Sequence, residues 1–134
     1  MNSTEIIETA KFVKQGYQSL GSMPLWQLVS MLDRLENNVI IVRDEDGIAG
    51  VALYAMVNKL TLERLWAGIL RVNKEKDMSL IFESQGSNLH ILAVVAKDTK
   101  TILEGLHKLI AKHHPQTVSW IKPNGEFRMV RGGI

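Results

Sequence analysis

The sequence predicts an α/β (α+β) chain with a mixed, largely antiparallel six-stranded sheet flanked by helices. Three observations predict this class. Four segments carry apolar residues at helical spacing, six short runs have the composition of strands, and turn signals join those runs in pairs. The 134 residues fit one domain over 1–134, because that length supports one core and is too short for two.

Two helices are predicted before the first strand. Ser3 or Thr4 caps the first helix, which runs to about Gln18. The segment Ser22-Met-Pro-Leu25 opens the second helix, because a proline suits the first helical turn. Leucines then recur at helical spacing, and the predicted end of the second helix is Asn37 or Asn38.

Three hairpins are predicted in the rest of the chain. The first has the clearest signal, because the Asp46-Gly47 pair supplies the positive φ angles of a tight turn. Helices separate the hairpins, and Pro115 prevents the last helix from continuing. The predicted strand pairs are Val39–Arg43 with Ile48–Val57, Met78–Ser84 with Leu89–Lys97, and Thr117–Lys122 with Glu126–Arg131. The intervening helices cover Leu60–Val72 and the segment around Ile102–Ile110.

Composition narrows the functional classes. The chain has no cysteine, which excludes a disulfide, a thiol nucleophile and a thiolate metal site. No window approaches the roughly 18–20 apolar residues of a membrane span, and no secretory signal is visible. We therefore expect a soluble, cytoplasmic protein without a membrane partner.

The charge distribution is uneven. The net charge of +2 and the aromatic content of 6% give no indication of nucleic-acid binding. From Lys97 onward, however, seven basic residues stand against three acidic ones. This basic part could attract an anionic ligand or an acidic partner, or it could be an ordinary solvated surface.

The turn Ala96–Lys100 joins a predicted strand to a predicted helix. Unpaired N–H groups at the start of a helix favour anions, and Lys97 and Lys100 add positive charge. Asp98 has two interpretations, as a cap of the helix or as a catalytic carboxylate, and capping is favoured. The spacing of Thr101 and Glu104 also fits a capping box.

The four histidines do not have the spacing of a metal site, so no metal is expected. His107, His113 and His114 lie toward the end of the last predicted helix. His90 lies on the strand that leads into the turn and is a candidate general base. The alternative is that His90 is a cross-strand neighbour with a structural role.

Four stretches follow the predicted order of elements closely: Ser22-Met-Pro-Leu25, NNVIIVRDEDGIAGVALYAMVN, LHILAVVAKD and KLIAKHHPQTVSWIKPNGEFRMVRGG. This order and these stretches resemble the GNAT acyltransferase fold, and more closely the toxin-activating lysine acyltransferases of the hemolysin-activator type. Two positions depart from these families. The turn has no glycine before Gly105, and Leu25 stands where the toxin activators have a histidine.

The resemblance implies an acyltransferase that uses acetyl-CoA or another acyl thioester, including an acylated carrier protein. The acceptor would be the amine of a protein or of a small molecule. Asp98 matches the family aspartate, and Asp98 or His90 would manage the amine proton. The donor would contact the strand and turn at Val94, Val95, Ala96, Lys97, Thr99 and Lys100.

A second interpretation comes from another functional class. The missing glycines and the leucine at position 25 also fit a GNAT-like binding or assembly protein without catalysis, of the kind encoded by phages or mobile elements. A homodimer through the final hairpin is open under either interpretation.

Overall fold

The computed structural model describes residues 2–16, 23–71, 75–122 and 124–131. The helices are α1 (Ser3–Gly16), α2 (Leu25–Arg34), α3 (Lys59–Trp66), α4 (Glu75–Glu83) and α5 (Thr99–His113), with a 3-10 turn at Glu36–Asn38. The strands are β1 (Val39–Asp44), β2 (Gly47–Val57), β3 (Asn88–Ala96), β4 (Thr117–Ile121) and β5 (Phe127–Arg131). Within these residues, none of the helices has the length and apolar character needed to span a bilayer.

The strands form a five-stranded sheet in the order β1-β2-β3-β4-β5. β1 pairs with β2 and β4 with β5 in antiparallel fashion, whereas β3 and β4 are parallel. The mixed α/β class is therefore confirmed, but the count of six strands is wrong. The parallel pairing follows from the crossover through α5, which returns the chain to the same end of the sheet.

The missing sixth strand is the segment Met78–Ser84, which lies in and just after helix α4. Met78 and Ile81 are buried while Leu80 between them is exposed, which is the pattern of a helix face. The short apolar run fits both a strand and a buried helix, so periodicity alone did not separate them.

Two helices also end earlier in the structure than the sequence predicted. α3 stops at Trp66, well before the predicted end at Val72, because Gly68 adopts a φ of +74° that turns the chain out of the helix. α2 stops at Arg34, and the 3-10 turn contains the predicted end at Asn37 or Asn38. The positions predicted for the end of the first helix (Gln18), the start of the second (Ser22) and the end of the third (Val72) lie outside the described residues.

By its internal contacts the chain divides into two compact units. The first comprises Met1–Leu53 and Ala93–Leu106, and its core includes Ala10, Leu28 and Leu32. In this unit α5 lies close to β2 at Gly50. A Cβ at Gly50 would lie only 2.7 Å from Cγ2 of Thr101, so a side chain there would push the helix away.

The second unit comprises Tyr54–Leu92 and His107–Ile134. Its largest fully buried side chains include Tyr54, Leu65, Ile81, Leu89 and Leu109. Three polar side chains, Asn88, His90 and Ser119, are buried with them. Because a buried polar group is costly unless it is hydrogen-bonded, these three mark the part of this unit where bonding partners matter most.

Candidate functional site

The turn between β3 and α5 belongs to the first unit and is held to the β1–β2 hairpin. The N–H of Lys97 donates to the carbonyl of Ala49 at 3.0 Å. The Lys97 ammonium forms an ion pair with Asp44, whose carboxylate also accepts the N–H of Asp46 at 2.9 Å. Both the backbone and the side chain of Lys97 are therefore positioned by the hairpin.

Asp98 caps helix α5, as the sequence predicted. Its Oδ1 accepts the N–H of Thr101 at 2.8 Å and the Thr101 hydroxyl at 2.6 Å. These two bonds, with smaller contributions from Lys97 and Lys100, lower the pKa of Asp98 below its ordinary value. The capping residue is Asp98, with Thr101 three residues later, so the capping box predicted at Thr101 and Glu104 lies one turn too far along the helix.

The first turn of α5 leaves hydrogen-bond donors for a ligand. Thr99 and Lys100 are the first two helical residues, and both are exposed. None of the described hydrogen bonds uses the N–H of either residue, whereas the N–H of Thr101 is taken by Asp98. Helix N-termini with such donors favour anions. The exposed side chain of Lys100 adds a positive charge at the same place.

A shallow apolar cavity lies beneath the first turns of α5. The space inside it is only about 10 Å³, roughly that of one water molecule, and its walls include Gly50, Val94, Ala96, Thr101 and Gly105. Pockets for drug-sized ligands occupy about 300–1,000 Å³. The cavity is therefore far too small for a ligand of that size, and a ligand in this region would contact mainly the turn.

The strand residues predicted to bind the donor differ in accessibility. Val95 is buried, and a Cβ on Gly16 of α1 would collide with its side chain, so that side chain faces α1. Val94 and Ala96 are half-buried and line the cavity. A ligand at this strand would reach their side chains more readily than that of Val95. Donor binding by these residues stays a prediction.

His90 lies in the second unit and is fully buried. Its Nδ1 is 2.7 Å from the hydroxyl of Ser119, which itself lies 3.5 Å from the carbonyl of Leu89. Burial lowers the pKa of His90 to about 4, so the ring is neutral at physiological pH. Nε2 is buried without a hydrogen-bond partner among the described residues.

Two aromatic rings lie on the His90 side of the sheet. The ring of Phe127 is nearly parallel to that of His90, with centroids 6.2 Å apart, and Trp66 stacks on Phe127 at 5.7 Å. A substrate could reach Nε2 only if neighbouring side chains moved, because His90 has no exposed surface. The role of His90 as a base therefore stays a prediction.

Sequence reasoning missed two polar contacts in the second unit. The first is Ser119 against His90, for which the only sequence signal is a serine within an apolar strand. The second joins Nε2 of His113 to the Tyr54 hydroxyl at 2.9 Å, 59 residues apart in sequence. Burial lowers the pKa of His113 and raises that of Tyr54. The described residues contain no group of three histidines or carboxylates that could hold a metal ion.

No protein-family model and no curated protein matches the sequence. Solved structures do match the fold. GphF, a GNAT-like decarboxylase in complex with isobutyryl-CoA, superposes with a TM-score of 0.63 at 10% identity, over 90% of this chain and 63% of that one. The loading GNATL domain of CurA from Lyngbya majuscula superposes with a TM-score of 0.62 at 12% identity, over 91% of this chain and 62% of that domain's chain. The chain spans about three fifths of the length of either neighbour. Its fold is GNAT-like.

Proposed function

We propose that the protein binds an acyl thioester, acyl-CoA or an acylated carrier protein, at the β3–α5 turn and transfers the acyl group to an amine. The observation that carries the proposal is the turn itself, where Thr99 and Lys100 present unused N–H groups beside a lysine side chain. The GNAT-like fold supports it, as does the isobutyryl-CoA bound by one structural neighbour.

The phosphates of the donor would bind at the first turn of α5. Lys100 and the two N–H groups supply the positive charge, while Asp98 holds the turn in place through Thr101. Asp98 and Asp44 also place negative charge close by, and Asp44 already pairs with Lys97. Lys97 contributes to phosphate binding only after that ion pair opens, so Lys100 is the main charged contact.

The chemical step would follow the usual course of acyl transfer to an amine. The amine nitrogen bonds to the thioester carbon, the carbon–sulfur bond breaks, and the thiolate leaves with the proton that the amine gives up. Backbone groups at the end of β3 would polarise the thioester carbonyl. His90 or Asp98 would take this proton from the amine and pass it to the leaving thiolate. A lowered pKa makes Asp98 a weak base, and His90 requires its Nε2 to become accessible.

Donor binding is tested by thermal unfolding with acetyl-CoA, longer acyl-CoAs, free coenzyme A and an acylated carrier protein. A ligand at about 100 times its dissociation constant stabilises the folded state by roughly 2.7 kcal/mol. Lys100→Glu should abolish the stabilisation, and Lys11→Glu, the same charge change on α1, should leave it intact. If no thioester stabilises the protein, or if both variants respond equally, the proposed donor site is wrong.

Activity is tested separately, with mass spectrometry of candidate amine acceptors. Acylated lysine on a protein acceptor would support the toxin-activator type of reaction, and an acylated small amine would support the broader GNAT type. Carbon dioxide release is followed in parallel, because one structural neighbour is a GNAT-like decarboxylase. If His90→Ala and Asp98→Ala both retained full transfer activity, the proton-handling roles would be refuted.

A second candidate is a GNAT-like binding or assembly protein without catalysis. The observation that favours it is that both candidate catalytic groups are occupied or enclosed. The Asp98 carboxylate accepts two bonds from Thr101, and Nε2 of His90 is buried. Donor binding without transfer, hydrolysis or decarboxylation would support this candidate.

A further inference from the structure

The last strand of the sheet has an open edge among the described residues. β5 lies at one end of the strand order, and no strand of the described residues pairs with its outer side. From Arg128 to Arg131 all four side chains are exposed, among them Met129 at 45% and Val130 at 52%. Exposed apolar edge strands favour pairing with another chain, so β5 is a candidate interface.

The unused backbone groups of β5 occur at alternate residues. The N–H of Lys122 donates to the carbonyl of Glu126 at 2.9 Å, so these two residues are hydrogen-bonded across the hairpin. Hydrogen-bonded positions alternate along an antiparallel pair, so Arg128 and Val130 direct their N–H and C=O groups toward β4. The groups that point away from β4 therefore belong to Phe127, Met129 and Arg131.

We propose that a second copy of this chain pairs with this edge, β5 against β5 in antiparallel orientation about a two-fold axis at Met129. Met129 then lies opposite the partner's Met129, and Phe127 opposite the partner's Arg131. Each facing pair has outward N–H and C=O groups on both sides, so the register forms about six hydrogen bonds between the chains. Two-fold pairing of identical strands is the simplest closed assembly.

The charge of Arg128 favours this register over the one in which the partner strand is shifted by two residues. Shifting the partner by two residues would place Arg128 directly opposite the partner's Arg128, and facing like charges destabilise a strand pair. In the proposed register Arg128 faces the partner's Val130, and its guanidinium keeps its ion pair with Glu126 at 2.9 Å. A shift in the other direction leaves Phe127 opposite no residue of β5 and reduces the number of hydrogen bonds between the two β5 strands.

The apolar surface of the proposed interface extends beyond the strand. Phe127, Met129 and Arg131 share one face of β5, and the 66% exposed Trp66 stacks on Phe127. The partner's Arg131 would lie across from Phe127 on this face, where a guanidinium interacts favourably with aromatic rings. Since five residues of strand form a small interface compared with the about 1,200–2,000 Å² of stable complexes, the dimer should depend on concentration.

Sedimentation equilibrium from low micromolar to near-millimolar protein tests the assembly. The wild-type protein should shift from monomer to dimer, and Met129→Lys should remain monomeric because two ammonium groups meet at the axis. Leu80→Lys is the matched control, since Leu80 is 47% exposed on α4. A monomeric wild type over the whole range, or equal dimerisation of both variants, overturns the proposal.

Cysteine cross-linking tests the register, because the chain has no cysteine of its own. Facing hydrogen-bonded residues have Cα atoms about 5.5 Å apart, which is within reach of a disulfide. Met129→Cys should therefore cross-link under mild oxidation. The two copies of Val130 are offset along the strands in this register, so Val130→Cys should not. Equal cross-linking of both variants, or cross-linking of Val130→Cys alone, refutes the two-fold axis at Met129.

Discussion

Gly50 is the position where a single added methyl group should disturb the β3–α5 turn. A Cβ there would lie 2.7 Å from Cγ2 of Thr101 and 3.3 Å from Cβ of Ala96, whereas carbon atoms in good contact are about 3.5–4.0 Å apart. Thr101 cannot rotate away freely, because its hydroxyl donates to Asp98 at 2.6 Å. The start of α5 must therefore shift away from β2 by most of an ångström.

The free-energy cost of this shift can be compared with that of other substitutions that add a methyl group to a packed core. Extra methyl groups in close-packed interiors cost about 1–3 kcal/mol. We expect Gly50→Ala to lower the free energy of unfolding by about 2 kcal/mol, which corresponds to a loss of roughly 6–10 °C in Tm for a chain of this size. Differential scanning calorimetry and urea unfolding would measure both quantities.

Two variants make the test specific. Gly105→Ala places its Cβ at an ordinary 3.6 Å from Val42 and removes a helical glycine, so it should be neutral or stabilise by up to about 1 kcal/mol. Thr101→Ser removes the colliding methyl group and keeps the hydroxyl, so it should reduce the cost of Gly50→Ala. If Gly50→Ala is as stable as Gly105→Ala, or if Thr101→Ser gives no relief, the close approach of α5 to β2 is wrong.

Three further predictions follow from other contacts. The pKa of His90 in the folded state, about 4, is below its ordinary value of 6.5, so the folded state binds fewer protons than the unfolded state. As the pH is lowered from about 6 to 4, the free energy of unfolding should therefore fall by up to about 1.4 kcal/mol per pH unit. Urea unfolding at a series of pH values should show a shallower fall for His90→Gln. Asp98→Asn keeps a good capping residue and removes a negative charge, so calorimetry should show tighter binding of coenzyme A, whereas Asp33→Asn on α2 should not change it. A double-mutant cycle of Trp66→Ala and Phe127→Ala should give a coupling of about 0.5–1.5 kcal/mol in urea unfolding, and additive effects would contradict the stack.

The parts of the fold that the sequence predicted correctly have local signals. The Asp46-Gly47 pair correctly predicts the first hairpin, although Gly47 alone of the two has a positive φ, +118°, and is the first residue of β2. An aspartate just before a helical pattern correctly predicts the cap of α5. The prediction of a strand at Met78–Ser84 is wrong because a short apolar run shows neither a helical nor a strand periodicity. Its helical state depends on which side chains the surrounding structure buries.

The contacts around His90 could not be read from the sequence for a different reason. His90 and Ser119 are Cα partners in the parallel pairing of β3 and β4, two strands that are joined by the crossover through α5. Phe127 reaches the same face only because β4 and β5 pair with Ile121 opposite Phe127. Each step depends on strand register, which no short motif encodes.

The charged side chains of the β3–α5 turn limit how tightly the turn alone could bind the phosphates of a donor. A glycine-rich loop binds phosphate through several backbone N–H groups. This turn lacks such a loop, and two of its charged side chains already have partners within the chain. Asp98 bonds to Thr101 and Lys97 pairs with Asp44. What remains is Lys100 with two backbone N–H groups, which is a small set for a multiply charged ligand. Tight binding would therefore require contacts that the turn itself does not provide, and weak binding of free coenzyme A would be consistent with a donor that a carrier protein delivers.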